Sequence, residues 1–348
     1  MNFALFLDMK ARGDPQGLAV ADHRLRLSWS ELEHRASQLA QLLRSRGLRR
    51  GDRMAIYLPN RVEVVIALLG CMKCGVIPAP LNWRLSGQEL HKVVGHCAPA
   101  CILTTQERST LFEEGSCGWV LTAGEEPASG SFWRELEPCP GTYPTLGCQA
   151  GDIASLLYTS GTTSSPKAAI HTHGMRVAVA GAMADCFALS SRDVALCLSP
   201  LFHTSGTSVF ANALFAGCPM ILQEKWNLED FVRLVAEEGV TFMHLIGTLL
   251  VDIAAAAESV FEPLRGRSRM RFTWGGGHAI AAEKFEVFER RIGGVFLLGY
   301  SRTEGGLTYN PLDRATRNFT DNGLPNRNSS DIAILDPVTQ QAVSYTHL

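Results

Sequence analysis

From Tyr158 to Lys167 the chain reads YTSGTTSSPK, in which six Ser or Thr hydroxyls, one Gly and one Lys follow directly on the apolar run Ile153-Ala154-Ser155-Leu156-Leu157. Hydroxyls and backbone N–H groups can replace water around phosphate oxygens, and one cation offsets part of their charge, so the loop is suited to a polyphosphate. It is not a Walker loop. No second Gly stands between Gly161 and Lys167, and Ala168 follows the lysine where a Ser or Thr belongs. The same composition also describes a solvated linker, so the loop alone does not decide the chemistry.

Three further segments bear on that choice: Pro200-Leu201-Phe202-His203-Thr204-Ser205-Gly206, then Gly275-Gly276-Gly277, then Gly299-Tyr300-Ser301-Arg302-Thr303-Glu304. A linker explains neither their order nor their separation. Upstream lie Ser30-Glu31-Leu32, Gly51-Asp52-Arg53, Leu58-Pro59-Asn60 and Gly75-Val76-Ile77-Pro78-Ala79-Pro80-Leu81-Asn82. Together these segments resemble the signatures of the adenylate-forming superfamily, which comprises acyl-CoA synthetases, luciferases and the adenylation domains of peptide synthetases. The resemblance runs over about residues 28 to 340.

The resemblance implies that a carboxylate is joined to the α-phosphate of ATP with release of pyrophosphate, and that the thiol of coenzyme A then attacks the acyl-adenylate. Two anions must meet, so cations and donors have to offset their repulsion while the carboxylate is held in line. By the same resemblance Thr159, Ser160, Gly161, Thr162, Thr163, Ser164 and Lys167 cradle the β and γ phosphates. Ser164 and Ala168 stand where the family usually has Gly, and Ser164 is less free than Gly at positive φ. Glu304 is expected to hold Mg²⁺ as a hard oxygen ligand, with Thr303 donating to the α-phosphate. Tyr300, beside Ser301, offers a π face to adenine, and Gly275, Gly276 and Gly277 let backbone approach the opposite face. Ser301 and Arg302 replace a glycine and an apolar residue more typical of the family, a change expected in packing rather than in reaction type.

His203 bears on the substrate, a small-molecule carboxylic acid. Adenylation domains that take amino acids usually carry an Asp in this segment to pair with the ammonium group, and Phe202-His203 offers none. An acid with an uncharged tail, fatty or aryl, is therefore expected, in a pocket that also draws on His244-Leu245-Ile246-Gly247. His171, Thr172 and His173 match a family stretch and are assigned structural roles. The catalytic candidates are Thr303, Glu304 and His203.

Composition narrows the class. The 348 residues are 46% hydrophobic and 19% charged, as in a globular chain. A formal charge of −2 leaves no footprint for nucleic acid, and Arg44, Arg46, Arg49 and Arg50 flank a helix end, where cations suit the dipole. The apolar stretch from Val62 to Met72 contains Glu63 and stops at Lys73, short of the ~20 residues of a membrane span, and the opening MNFALFLDMK lacks a basic signal-peptide region. A cytoplasmic location is expected. Ten cysteines raise the alternative of zinc at Cys71, Cys74, Cys97 and Cys101 beside His96, but cysteines inside apolar runs read better as reduced core thiols.

These residues need a scaffold. Ser30-x-x-Glu33 has the form of a capping box, and the residues after it recur at helical spacing as far as Gly47. Met54 to Leu58, Val62 to Lys73 and Val76 to Pro80 alternate as β-α-β, which implies a parallel sheet covered on both faces. Further strands are expected at 100–103, 153–158, 194–198, 220–222, 242–245, 270–274 and 295–298, with helices at 231–238 and 281–291. Residues 112–149, rich in Gly, Pro and Ser, read as a loop-bearing connection with a lobe boundary near 150. The expected fold class is α/β: two stacked αβ lobes with mainly parallel sheets, plus the start of a β-barrel lobe at Ile332 to Pro337. The family has a small C-terminal lid domain beyond this point, so residues 1–343 are expected to be an incomplete adenylation domain, with 344–348 as a foreign tail. Two readings stay open, an acyl-CoA synthetase and an ATP-binding relative without turnover. A kinase is a poor reading because neither a Walker loop nor the kinase glycine loop is present.

Overall fold

The computed structural model of the chain describes residues 1–112, 118–126, 128–159, 166–276, 280–317, 319, 322–325, 339 and 341. After helix α1 (Leu5–Gly13) come strands β1 (Leu18–Ala21) and β2 (Arg26–Ser28), then α2 (Trp29–Ser45). Helix α2 opens with a capping box, but not at the expected pair. Ser28 accepts from the Glu31 N–H and the Glu31 carboxylate accepts from the Ser28 N–H, whereas Glu33 accepts from the buried Lys73 ammonium at 2.9 Å. The chain contains two overlapping Ser-x-x-Glu patterns, and the need of Lys73 for counter-charge takes Glu33 away from the cap.

Strand β3 (Arg53–Tyr57), helix α3 (Val62–Cys74), strand β4 (Ile77–Pro80), helix α4 (Gly87–Cys97) and strand β5 (Cys101–Thr105) continue the βαβ pattern. All thirteen residues of α3 are buried, so its two charges must be met internally. Lys73 donates to Asp8 at 2.6 Å as well as to Glu33, and Glu63 accepts from Arg24 at 2.8 Å and from the Trp133 indole at 3.0 Å. Gly75 closes the helix at φ +76°, a conformation that side chains resist. The segment read as a loop-bearing connection holds β6 (Trp119–Ala123) and α5 (Ser131–Leu136). Trp119 to Ala123 pairs along β5, and that long-range pairing overrides the weak local signal. The four strands form a parallel sheet in the order β4-β3-β5-β6.

Strands β7 (Ile153–Thr159) and β8 (Lys167–Thr172) make an antiparallel pair, followed by α6 (His173–Phe187), β9 (Ala195–Cys197), α7 (Thr204–Ala216), β10 (Met220–Leu222), α8 (Leu228–Glu237), β11 (Phe242–Ile246), α9 (Gly247–Ala255), β12 (Phe272–Gly276), α10 (Ala282–Ile292) and β13 (Val295–Leu298). A second sheet runs in the order β13-β12-β11-β9-β10-β1-β2, parallel throughout except for the β1–β2 hairpin. The first two strands of the chain therefore extend the sheet built by its second half. One large core joins α1, α2, α3, α6 and α7 between the two sheets, and a second core packs α8, α9 and α10 on the outer face of the seven-stranded sheet.

Beyond β13 the chain forms β14 (Ser301–Arg302), β15 (Gly305–Tyr309) and β16 (Leu324–Pro325), a small antiparallel sheet. Among the described residues no closed barrel is formed. The strand expected at Ile332 to Pro337 lies outside the described residues. Cys71, Cys74, Cys97 and Cys101 are buried and in no disulfide among the described residues, and burial holds Cys71 well above the usual thiol range.

Candidate active site

Several of the candidate residues that the structure describes lie at the carboxyl edge of the seven-stranded sheet. Ser199 and His203 follow β9, His244 and Ile246 end β11, Gly275 and Gly276 end β12, and Tyr300 follows β13. In open α/β sheets this edge is where ligands bind, because the loops that leave parallel strands open there around a crevice.

Around β9 and β11 two imidazoles lie close together. His203 caps α7, its Nδ1 accepting from the Ser205 N–H at 3.3 Å and standing 2.9 Å from the Ser205 hydroxyl. Nδ1 is thereby an acceptor, and the ring proton of the neutral form sits on Nε2. His244 Nδ1 lies 3.0 Å from the Ser199 hydroxyl, and its ring meets Trp274 edge-on at 5.5 Å. Burial, and then the nearness of His203, push the His244 imidazole down to about 3, so both rings are neutral near pH 7. The pair presents a neutral, aromatic wall suited to a planar or apolar group. Among the described residues no carboxylate bonds to either ring, in keeping with Phe202-His203 in place of an ammonium-binding Asp.

Gly275 and Gly276 have a reason of their own. A Cβ on Gly275 would sit 2.0 Å from the Leu245 carbonyl oxygen, and one on Gly276 2.5 Å from the Gly299 carbonyl oxygen. Neighbouring strands therefore demand these glycines whether or not a nucleotide lies beside them. Gly277 is outside the described residues, as are Ser160, Gly161, Thr162, Thr163 and Ser164.

Tyr300 is about half exposed, at 49%, and its backbone N–H donates to the Thr308 hydroxyl at 3.1 Å. Thr303 and Glu304 form the two-residue turn between β14 and β15, closed by Gly305 at φ +121°. Ser301 and Arg302 precede the turn on the exposed β14. Glu304 is exposed and has no ion-pair partner among the described residues, so its carboxylate is free to act as a hard oxygen ligand. Among the described residues no group of three His, Cys, Asp or Glu side chains could hold a metal by itself.

The turn is anchored from β8. His171 donates through Nε2 to the Thr303 carbonyl at 2.6 Å, tying it to the strand that begins at Lys167. Lys167 is exposed and pairs with Thr159 across the β7–β8 ladder, so the two described ends of the hydroxyl loop lie side by side. Thr172 caps α6 by accepting from the Met175 N–H at 3.1 Å, and His173 accepts from the Phe3 N–H at 3.1 Å. Two residues without an expected role stand next to this anchor. Arg176 and Asn212 are buried in a cleft between α6, α7 and the β14–β15 hairpin. The signal for the first was an arginine inside the apolar helical run Met175-Arg176-Val177-Ala178-Val179.

Residues 7–346 match the AMP-binding enzyme family. The chain is 31% identical over 267 residues to 2-succinylbenzoate–CoA ligase of Bacillus velezensis, covering 75% of this chain and 52% of the relative. It is 30% identical over 307 residues to a feruloyl-CoA synthase of an Amycolatopsis species, covering 88% and 60%. It thus spans about half to three-fifths of the length of the curated relatives it matches. Among solved structures, apo MatB from Rhodopseudomonas palustris superposes with a TM-score of 0.86 at 24% identity over 100% of this chain and 69% of that one. The N-terminal domain of FACL13 from Mycobacterium tuberculosis does so with a TM-score of 0.79 at 22% identity, covering 88% and 78%. Sequence and fold agree that the chain belongs to the AMP-binding enzyme family.

Proposed function

We propose that the chain is the adenylating body of an AMP-forming acid–thiol ligase that activates a fatty or aryl carboxylic acid. The observation that carries this reading is the gathering of His203, His244, Gly276 and Tyr300 on one carboxyl edge of the sheet, with the Thr303-Glu304 turn held next to it by His171. In the first half-reaction a carboxylate oxygen attacks the α-phosphorus of ATP, and the bond to the β-phosphate oxygen breaks to release pyrophosphate. In the second the thiolate of coenzyme A attacks the acyl carbon and AMP leaves. Glu304 would hold Mg²⁺, which supplies charge neutralisation along the phosphates. Thr303 would donate to the α-phosphate, Lys167 and the hydroxyl loop would face the departing pyrophosphate, and Tyr300 would stack on adenine. The relatives support the class, since they are named as CoA ligases of 2-succinylbenzoate and of ferulate.

Carboxylate-dependent ATP–pyrophosphate exchange, run beside calorimetric binding of Mg·ATP to the chain, tests the reading. Fatty and aryl acids are expected to lead α-amino acids. An unmodified α-amino acid with the highest kcat/KM would overturn the substrate assignment, and absence of Mg·ATP binding would overturn the adenylating role.

A further inference from the structure

The cleft between α6, α7 and the β14–β15 hairpin gathers several buried polar atoms that have no partner. It is lined by His171, Arg176, Thr204, Asn212, Arg302 and Gly305, with an apolar side made by Met175, Val179 and Ala211. Arg176 is 5% exposed and Asn212 1%, so neither can be satisfied by bulk water. Arg176 donates to the Thr207 carbonyl at 3.2 Å and to the Ser155 hydroxyl at 2.9 Å, both neutral acceptors. Its Nε, both side-chain polar atoms of Asn212, the Thr204 hydroxyl and His171 Nδ1 are buried without partners. Four residues of one cleft thus carry five unmet polar atoms.

The charge is equally one-sided. No Asp or Glu lines the cleft, and among the described residues no carboxylate lies within ion-pair distance of Arg176. Elsewhere among the described residues the buried cations are matched: Lys73 has Asp8 and Glu33, Arg24 has Glu63, and Arg61 has Glu224. A buried guanidinium without a counter-ion is costly, and a mobile anion removes that cost. Burial brings Arg176 down to about 10, which leaves it charged near neutral pH. Arg302 places a second guanidinium at the rim, donating to the Gly305 carbonyl at 3.3 Å.

We propose that this cleft binds a second, anionic group carried on the tail of the carboxylic acid substrate, with Arg176 as its counter-ion and Asn212 and Thr204 as donors. The inference deepens the adenylating role proposed above and rests on it. It also revises the expected tail. The missing ammonium-binding carboxylate argues against amino acids, but a buried unpaired arginine argues for an acid with a distal carboxylate on an apolar or aromatic spacer. Met175, Val179 and Ala211 supply the surface for that spacer. Asn212 Oδ1 and His171 Nδ1 remain as acceptors for a hydroxyl or a water next to the anion.

The test is calorimetric binding to the chain, with Mg·ATP present, of matched acids with and without the distal group: benzoate against 1,4-benzenedicarboxylate, and hexanoate against adipate. Inorganic phosphate serves as a separate arm. Each diacid is expected to bind at least tenfold more tightly than its partner, and Arg176→Gln should bring that ratio close to one. Equal or weaker binding of the diacids by the unaltered chain overturns the proposal. So does a tenfold loss of phosphate or ATP affinity in the variant with the diacid ratio unchanged, since the cleft would then serve a phosphate. Because Arg176 also bonds Ser155 and Thr207, its variant can unfold, and Asn212→Leu and Arg302→Gln provide independent readings in which the ratio should fall at least threefold. Loss of all acid binding together with Mg·ATP binding would count against the adenylating role, whereas binding of ATP and monoacids without a diacid advantage counts against this inference alone.

Discussion

His171 donates to the Thr303 carbonyl at 2.6 Å, so the turn that carries the candidate phosphate and metal residues hangs from the strand that begins at Lys167. A carbonyl can only accept, so the proton is on Nε2 and the ring needs no second proton to make the bond. Burial, followed by the charge of Arg176, holds this imidazole down at about 4, so it is neutral throughout the physiological range.

That shift predicts a pH dependence of stability. The folded imidazole takes up its proton near pH 4 and the unfolded one near 6.5, so between those values the unfolded chain binds more protons and stability falls as the pH falls. His173, also held at about 4, and His244, at about 3, act in the same direction. Urea unfolding between pH 7 and 5 should show a declining midpoint, and His171→Asn should flatten the decline by about 1 kcal/mol per pH unit on average. An unchanged slope in that variant would place the titration elsewhere.

Glu304 and Lys167 should differ in weight. A divalent cation needs a fixed hard oxygen, and among the described residues Glu304 belongs to no group of three His, Cys, Asp or Glu side chains that could hold the metal without it. Glu304→Ala is expected to reduce magnesium-dependent exchange by at least about a hundredfold. Lys167→Ala should cost less, because a mobile exposed cation is partly replaceable. Near-normal exchange in the Glu304 variant would remove that residue from the metal role.

Much of this arrangement was legible in the chain, and the parts that were not share a cause. Buried strands such as Phe242–Ile246 and the helix Val62–Cys74 are apolar runs bounded by Gly or Pro, signals that lie within the element itself. The hydroxyl loop, the Phe202-His203 pair and the Tyr300-to-Glu304 segment were visible because their chemistry is local. By contrast, the parallel pairing of Val20 with Met220 leaves no trace near either residue. Strand β6 and helix α5 were hidden in the same way inside a stretch that reads as loop. The polarity of Arg176 stood out in sequence, but its lack of a counter-ion is a property of what surrounds it in space.

The choice between two overlapping caps gives a direct test of that tertiary influence. Ser28 and Ser30 each precede a glutamate by three residues, yet only Ser28 has exchanged bonds with its partner. Ser28→Ala should cost about 1 kcal/mol in denaturant unfolding, and Ser30→Ala, which removes only a 3.2 Å contact to the Ser28 hydroxyl, should cost less than half of that. Equal costs would return the cap to an open choice between the two.

The glycines of β12 separate a folding requirement from a nucleotide requirement. If Gly276 serves only to let backbone approach adenine, Gly276→Ala should leave the melting temperature unchanged and weaken ATP binding. The geometry favours the opposite order. The added carbon would sit 2.5 Å from the Gly299 carbonyl oxygen, well inside van der Waals contact, and backbone atoms of a parallel sheet cannot swing aside as a flexible side chain can. Spreading β12 from β13 would strain the β12–β13 ladder that leads into Tyr300 and the Thr303-Glu304 turn. Gly276→Ala is therefore expected to lose about 1–3 kcal/mol of stability, read by urea unfolding without ligand, with weaker ATP binding as a consequence. A variant of unaltered stability that binds ATP poorly would show that the nucleotide, rather than the sheet, demands glycine at this position.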